Sequence, residues 1–372
     1  MTRQTYTGAA IFDGQRMLHG HALVVENDLV AAILPESDAP EGPHVRLDGG
    51  TIAPGLIDLQ VNGGDGIMLD GAADVTRLTR IITAHASLGA TGILPTLITD
   101  TPAATSAVIA AGIAAARAKI PGFLGLHLEG PHLDPRRHGA HDPALIRPMT
   151  DADLAQLCDA AASLPALMVT LAPAAATPAQ IARLTQSGVT VSLGHAECTY
   201  DQAQAAIDAG ASCATHLFNA MSQLTNREPG LVGAVLGGTI HAGIIADGVH
   251  IHPATLRTAL AARNDRLFLV SDAMAVAGTD LTGFTLGKRQ ILRRDGRLTL
   301  ADGTLAGADL SLPQAIAYLI RTLCIAPDRA LAMATRIPAD LIGSSTGRLH
   351  PGQPARMVHL GPDWTLQQVW TA

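Results

Sequence analysis

The chain has 372 residues, 48% of them apolar and only 15% charged, with a formal net charge of −7. That length suits one large domain with a small one, and the apolar share implies a large buried core and excludes disorder. No basic block interrupts the acidic balance, so nucleic acid and anionic membrane are excluded as partners, and an anionic small molecule would need a local basic cluster.

Residues 1–14 lack a basic-then-apolar leader pattern, and the run nearest to a membrane span, residues 103–120, is Ala-rich and carries Arg117 and Lys119. A packed helix is expected there, in a cytoplasmic protein. Cys158, Cys198, Cys213 and Cys324 are scattered without a CxxC spacing, which argues for small buried side chains rather than disulfides.

The first ~50 residues alternate apolar and polar over short runs (6–12, 21–26, 29–34 and 45–47) between turn residues, the pattern of β-hairpins. From Pro54 onward the pattern changes. Short apolar strands are expected at 55–61, 92–97, 122–128, 167–171, 189–193, 213–216, 243–246 and 267–270. Helices are expected between them at 74–88, 102–119, 151–162, 178–186, 200–209 and 253–263. Strand–helix alternation implies parallel βαβ units, and eight of them imply a (β/α)8 TIM-type barrel. Residues 284–304 read as a hairpin turning at Asp295-Gly296, followed by helices at 309–323 and 328–337. The tail, 356–360 and 365–370, returns to strand. The expected division is a small β-sandwich domain from both chain ends, 1–53 plus 345–372, and a hydrolase barrel, 54–344.

Active sites of such barrels lie at the C-terminal ends of the strands. Those ends are polar here: Asp58 and Gln60, Glu129, His195, His216 and Asp272. Several buried polar groups converging on one mouth carry a large desolvation cost unless they bind a metal or do chemistry. Two imidazoles and a carboxylate with an open fourth position form a common catalytic zinc arrangement, and Asp272 would then be the base. His127 shares the inward face of Glu129 one layer deeper and is expected to pack rather than ligate. His132, His138 and His141 lie in the following loop, where His138 reads as merely exposed.

The motifs Pro54-Gly55-Leu56-Ile57-Asp58, Leu126-His127-Leu128-Glu129-Gly130-Pro131, Gly139-Ala140-His141, Ser192-Leu193-Gly194-His195, Thr215-His216-Leu217-Phe218-Asn219-Ala220-Met221, Arg227-Glu228-Pro229-Gly230, Asp247-Gly248-Val249-His250 and Ser271-Asp272-Ala273-Met274 follow one another in order. Together they resemble the N-acetylglucosamine-6-phosphate deacetylases of the amidohydrolase superfamily. The resemblance implies hydrolysis of the acetamide of N-acetyl-D-glucosamine 6-phosphate to D-glucosamine 6-phosphate and acetate. It implies one divalent metal per subunit on Glu129, His195 and His216, with Zn2+ first and Fe2+, Co2+ or Mn2+ as alternatives. Asp272 becomes the acid–base group and His141 the group that polarises the carbonyl. Asn219, Ala220, Arg227, His250, Ala306 and Gly307 surround the phosphorylated amino-sugar substrate, with Arg227 and His250 reaching the neighbouring site of a homodimer.

Gln60 and Asn62 stand where many superfamily members carry a His-x-His pair for a second metal, and the two lysines, Lys119 and Lys288, lie at no expected strand end. A mononuclear site is therefore expected, with Gln60 and Asn62 as second-site relics or water-positioning groups. Asp142 stands where the family has Asn, Ala308-Asp309 where it has Ser-Ser, and Val276 where it has Pro, which leaves the sugar less defined than the reaction. The competing readings are another N-acetyl amino-sugar phosphate, a cyclic amide, or a non-catalytic scaffold. The cyclic-amide reading lacks the His-x-His pair, and the scaffold reading would have lost ligands that are all present.

Overall fold

A computed structural model describes residues 2–371. An 8-stranded parallel sheet forms its centre, running in sequence order through Leu56–Val61, Ala90–Ile98, Leu126–Glu129, Leu167–Leu171, Thr190–Leu193, Cys213–Ala214, His241–Ile244 and Leu267–Leu269. Every residue of Leu56–Val61 and of Leu167–Leu171 is buried, as expected for strands covered by helices on one face and packed into a barrel on the other. The sheet nearly closes on itself: Val61, the last residue of the first strand, pairs with Ala273 beyond the eighth, and the Ser271 amide donates to both Asp58 carboxylate oxygens at 3.2 and 3.1 Å. Asp58 thus belongs to the barrel seam.

The expected strands are all present, with shifted edges. Residues 122–125 lie outside the third strand, which ends on Glu129 itself, and the sixth strand stops at Ala214, two residues before His216. The helices between strands begin where their sequences supply caps. Thr150, Thr177 and Thr199 form capping boxes with Asp153, Gln180 and Gln202, and Asp74 and Thr101 accept from the amides three residues on. These starts follow the strand ends, so the caps also anchor the loops at the barrel mouth.

The chain ends form two sheets. One orders Leu29–Pro35, His21–Glu26, Arg3–Thr7 and His44–Arg46; the other orders Leu366–Trp370, Met357–Leu360, Thr51–Pro54, Ala10–Phe12 and Met17–Leu18. The tail strand Met357–Leu360 pairs antiparallel with Thr51–Pro54, and Ile11, Leu23, Ile52 and Met357 share a buried cluster between the sheets. The expected single strand at 6–12 is two, because the chain breaks at Gly8 and crosses from one sheet to the other. Gly8 has φ +82°, and a Cβ there would lie 2.4 Å from the Leu47 carbonyl oxygen.

Two further expectations need correction. The hairpin at 284–304 is a 4-stranded antiparallel sheet, Gly283–Leu286, Arg289–Arg294, Arg297–Thr299 and Leu305–Ala308. Its apolar face packs on Met68, Met274 and Val276 at the mouth. The helix expected at 328–337 is two, Pro327–Ala332 and Arg336–Leu341. Between them the Met333 and Ala334 carbonyls turn away and accept from the barrel amides of Leu269 and Ile57. A helix at Gly230–Gly237 went unread because it is apolar on all sides and rich in glycine, so it shows no amphipathic period. Among the described residues no helix is long and apolar enough to cross a membrane.

Candidate metal centre and active site

Glu129 closes the third strand, while His195, His216 and Asp272 stand two or three residues beyond the fifth, sixth and eighth. All three of these later residues have left-handed backbones, with φ of 45°, 31° and 50°. Such conformations cost roughly 1–3 kcal/mol each and persist where surrounding structure imposes them. Here they turn the chain sharply at the strand ends and bring all four side chains to one cavity at the mouth.

Within the cavity wall, Glu129 Oε1, His195 Nε2 and His216 Nε2 form a triangle with all three sides 3.1 Å. A tetrahedral ion with bonds of about 2.0–2.1 Å places its ligand atoms roughly 3.3 Å apart, so the triangle has the size of one face of such a site. The chemistry of the donors agrees. His195 Nδ1 lies 2.7 Å from the Arg137 carbonyl, which can only accept, so Nδ1 carries the proton and Nε2 presents a lone pair to the carboxylate. Two acceptors face each other across that contact, and a cation relieves the arrangement. Burial alone would raise the Glu129 carboxyl, but the His195 and His216 rings packed against it hold it well below the usual range.

Glu129, His141 and His195 also offer three ligand atoms within 4.8 Å of one another. His141 is the poorer third ligand, because its Nε2 is 4.0 Å from Glu129 Oε1 and because the Thr99 amide donates to its Nδ1 at 3.2 Å. An amide can only donate, so Nδ1 holds a lone pair and Nε2 bears the hydrogen. Burial and the nearby His195 push the pKa of His141 well down, so the ring is a neutral donor facing the cavity.

Gln60 and Asn62 each serve a carboxylate. Gln60 Nε2 lies 3.2 Å from both Glu129 oxygens, and Asn62 Nδ2 donates to Asp272 Oδ1 at 2.7 Å. Burial, followed by the charge of Glu129, raises Asp272 to about 6.

The expected substrate residues divide. Asn219, Ala220, His250 and Gly307 line the cavity. His250 does so in its own chain, held by a 2.6 Å contact from Nδ1 to Asp247 Oδ2. Arg227 is exposed and outside the cavity wall. Ala306 is fully buried in the apolar cluster behind the wall and does not line the cavity, because strand alternation turns it away from the mouth. Gly307 needs to be glycine, since at φ +66° a Cβ would sit 2.4 Å from Met274 Cγ and 2.7 Å from the Asp272 carbonyl.

His127 has both ring nitrogens occupied, by the Leu59 carbonyl at 2.9 Å and Thr170 Oγ1 at 2.7 Å, so it packs as expected. His132 is buried beside the Arg147 carbonyl, and His138 lines an outer groove. Asp142 is exposed and accepts from the Ala144 amide within its own turn, Asp309 pairs with Arg293 at 2.7 Å, and Val276 is buried under the mouth sheet. None of these departures lines the cavity. The sequence reading missed Thr99 and the Arg137 carbonyl. A lone Thr at a strand end and a backbone oxygen carry no sequence signature.

Residues 51–370 match the Amidohydrolase family and residues 5–52 the NagA composite domain. The chain belongs to the amidohydrolase family. It is 37% identical to an N-acetylgalactosamine-6-phosphate deacetylase of Shewanella sp. (strain ANA-3), over 98% of this chain and 94% of that one. It is 31% identical to an N-acetylglucosamine-6-phosphate deacetylase of Haemophilus influenzae, over 96% of this chain and 94% of that one. The crystal structure of N-acetylglucosamine-6-phosphate deacetylase from Pasteurella multocida superimposes with a TM-score of 0.95 at 34% identity, covering 99% of this chain and 98% of that one. The family assignment agrees with a barrel whose mouth carries a donor set suited to a divalent cation.

Proposed function

We propose that this family member hydrolyses the acetamide of N-acetyl-D-glucosamine 6-phosphate, releasing D-glucosamine 6-phosphate and acetate. One observation carries the reading: a single cavity holds the Glu129, His195 and His216 triangle, a raised carboxyl and a neutral imidazole donor, with His250 and Asn219 on the same wall. The names of the end-to-end relatives supply the substrate class.

Glu129, His195 and His216 would hold one divalent ion per subunit, with Zn2+ the first choice and Fe2+, Co2+ or Mn2+ compatible with the same donors. Such an ion supplies Lewis acidity, polarising an amide carbonyl and acidifying water. Asp272 takes a proton from the attacking water and returns it to the departing amine. Asn62 occupies Oδ1 and so leaves Oδ2 for that transfer. His141 donates Nε2–H to the acetamide oxygen as charge develops there. Gln60 steadies the Glu129 carboxylate. His250, Asn219 and Ala220 receive the sugar phosphate, with the backbone of Gly307 closing the wall.

Arg227, on an exposed loop beside the equally exposed Leu224, is supplied to the phosphate by a second copy in a homodimer. Residues 1–53 with 345–372 act as the small β-sandwich domain and 54–344 as the catalytic barrel. A second reading, the galactosamine epimer, is favoured by the name of the 37%-identical relative.

The test is acetate release from N-acetylglucosamine 6-phosphate, its galactosamine epimer and unphosphorylated N-acetylglucosamine. The gluco phosphate is expected to have the highest kcat/KM, with a loss of at least about 100-fold when the phosphate is removed. Preference for the epimer would move the assignment to the second reading. Indifference to the phosphate would remove the substrate class.

A further inference from the structure

We propose that Thr99 is a positioning residue for this reaction: it locks His141 in the tautomer whose Nε2–H faces the cavity. The proposal rests on the reading of His141 as the partner of the acetamide oxygen, and it adds the group that makes that role possible.

Thr99 follows the second barrel strand, Ala90–Ile98, and is 6% exposed. Two of its atoms reach His141 Nδ1: the amide nitrogen at 3.2 Å and Oγ1 at 2.8 Å. The amide has a hydrogen and no lone pair, so it requires a lone pair on Nδ1. The hydroxyl can rotate, and its other neighbour is the Glu129 carbonyl at 3.4 Å. Were the hydroxyl hydrogen given to that carbonyl, two lone pairs would face each other across 2.8 Å. The shorter contact therefore takes the hydrogen, and Nδ1 accepts from both Thr99 donors.

Neighbouring residues make room for this arrangement and hold it. Gly130 packs against the hydroxyl, where a Cβ would lie 2.3 Å from Oγ1. Arg289 donates to the Ala140 carbonyl at 2.5 Å, tying the main chain just before His141 to the mouth sheet. His141 is 4% exposed, so little water competes for its ring.

The consequence is chemical. The opposite tautomer would point a lone pair at the carbonyl oxygen and repel it. It would also offer a further imidazole ligand to a cation beside Glu129 and His195. Thr99 keeps His141 a donor and leaves ligation to the other three residues.

The test uses zinc-loaded protein labelled with 15N in histidine, alongside steady-state acetate release. In the wild type the His141 ring correlations are expected to show Nδ1 unprotonated and Nε2 protonated. Thr99→Val keeps the shape and the backbone amide but removes the hydroxyl. It is expected to lower kcat about tenfold, the loss of one buried hydrogen bond, with KM within about twofold, and to shift the His141 Nδ1 signal while the retained amide still holds the tautomer. Thr99→Ser should restore both readouts. A wild-type ring protonated at Nδ1 would overturn the proposal. So would wild-type kcat and ring signals in Thr99→Val while His141→Gln is inactive, and that result leaves the reading of His141 standing. Normal turnover in His141→Gln would instead remove the role of the ring, and the positioning role with it.

Discussion

Two buried carboxyl groups near the barrel seam, Asp58 and Asp272, are both raised above the ordinary aspartate range, and burial is the first cause in each. Their surroundings separate their roles. Asp272 lines the cavity. Asp58 is fully buried and accepts from the backbone amides of Gln60 and Ser271, tying the first strand to the eighth. Its pKa rises from 3.8 to about 7. Between these values the folded form keeps a proton that the unfolded chain has released, so its contribution to stability is complete below about pH 4 and is lost as pH rises through about 7. The change is on the order of a few kcal/mol. Asp58→Asn should remove this component. In urea unfolding of both proteins from pH 4.5 to 8, the stability of the wild type should fall relative to that of the variant as pH rises. Parallel curves would contradict the assignment.

At the scale of elements, legibility followed local chemistry. Strands such as Leu167–Leu171 were readable because a buried parallel strand is a nearly continuous apolar run, here broken by Thr170 alone, and capped helices such as Pro178–Gln186 because Thr177 and Gln180 mark their start. Glu129, His195, His216 and Asp272 were readable as a set because each is a costly polar residue at an apolar strand's end. Elements decided by tertiary contact were not readable. The break between Pro327–Ala332 and Arg336–Leu341 exists because Met333 and Ala334 carbonyls serve barrel strands distant in sequence. The strand Leu305–Ala308 is set by pairing with Arg297–Thr299 and by the Ala308 amide donating to the Asp272 carbonyl at 2.9 Å. That bond also links the mouth sheet to the proposed base.

At the scale of the whole molecule, one acidic chain must assemble a phosphate site from few cations, and Arg227 lies outside its own cavity. If a second copy supplies it, mixing inactive Arg227→Ala with inactive Asp272→Asn should restore activity. Random exchange gives half mixed dimers with one intact site each, or about a quarter of the wild-type rate. Mixed dimers seen by native mass spectrometry without recovered turnover would place the phosphate contact elsewhere. The central claim is that one divalent ion on Glu129, His195 and His216 supports turnover. The most direct measurement titrates metal-stripped protein with Zn2+ while bound metal and acetate release are followed on the same sample. Both should rise together and saturate at one equivalent per chain; saturation at two equivalents, or full turnover without metal, would contradict it.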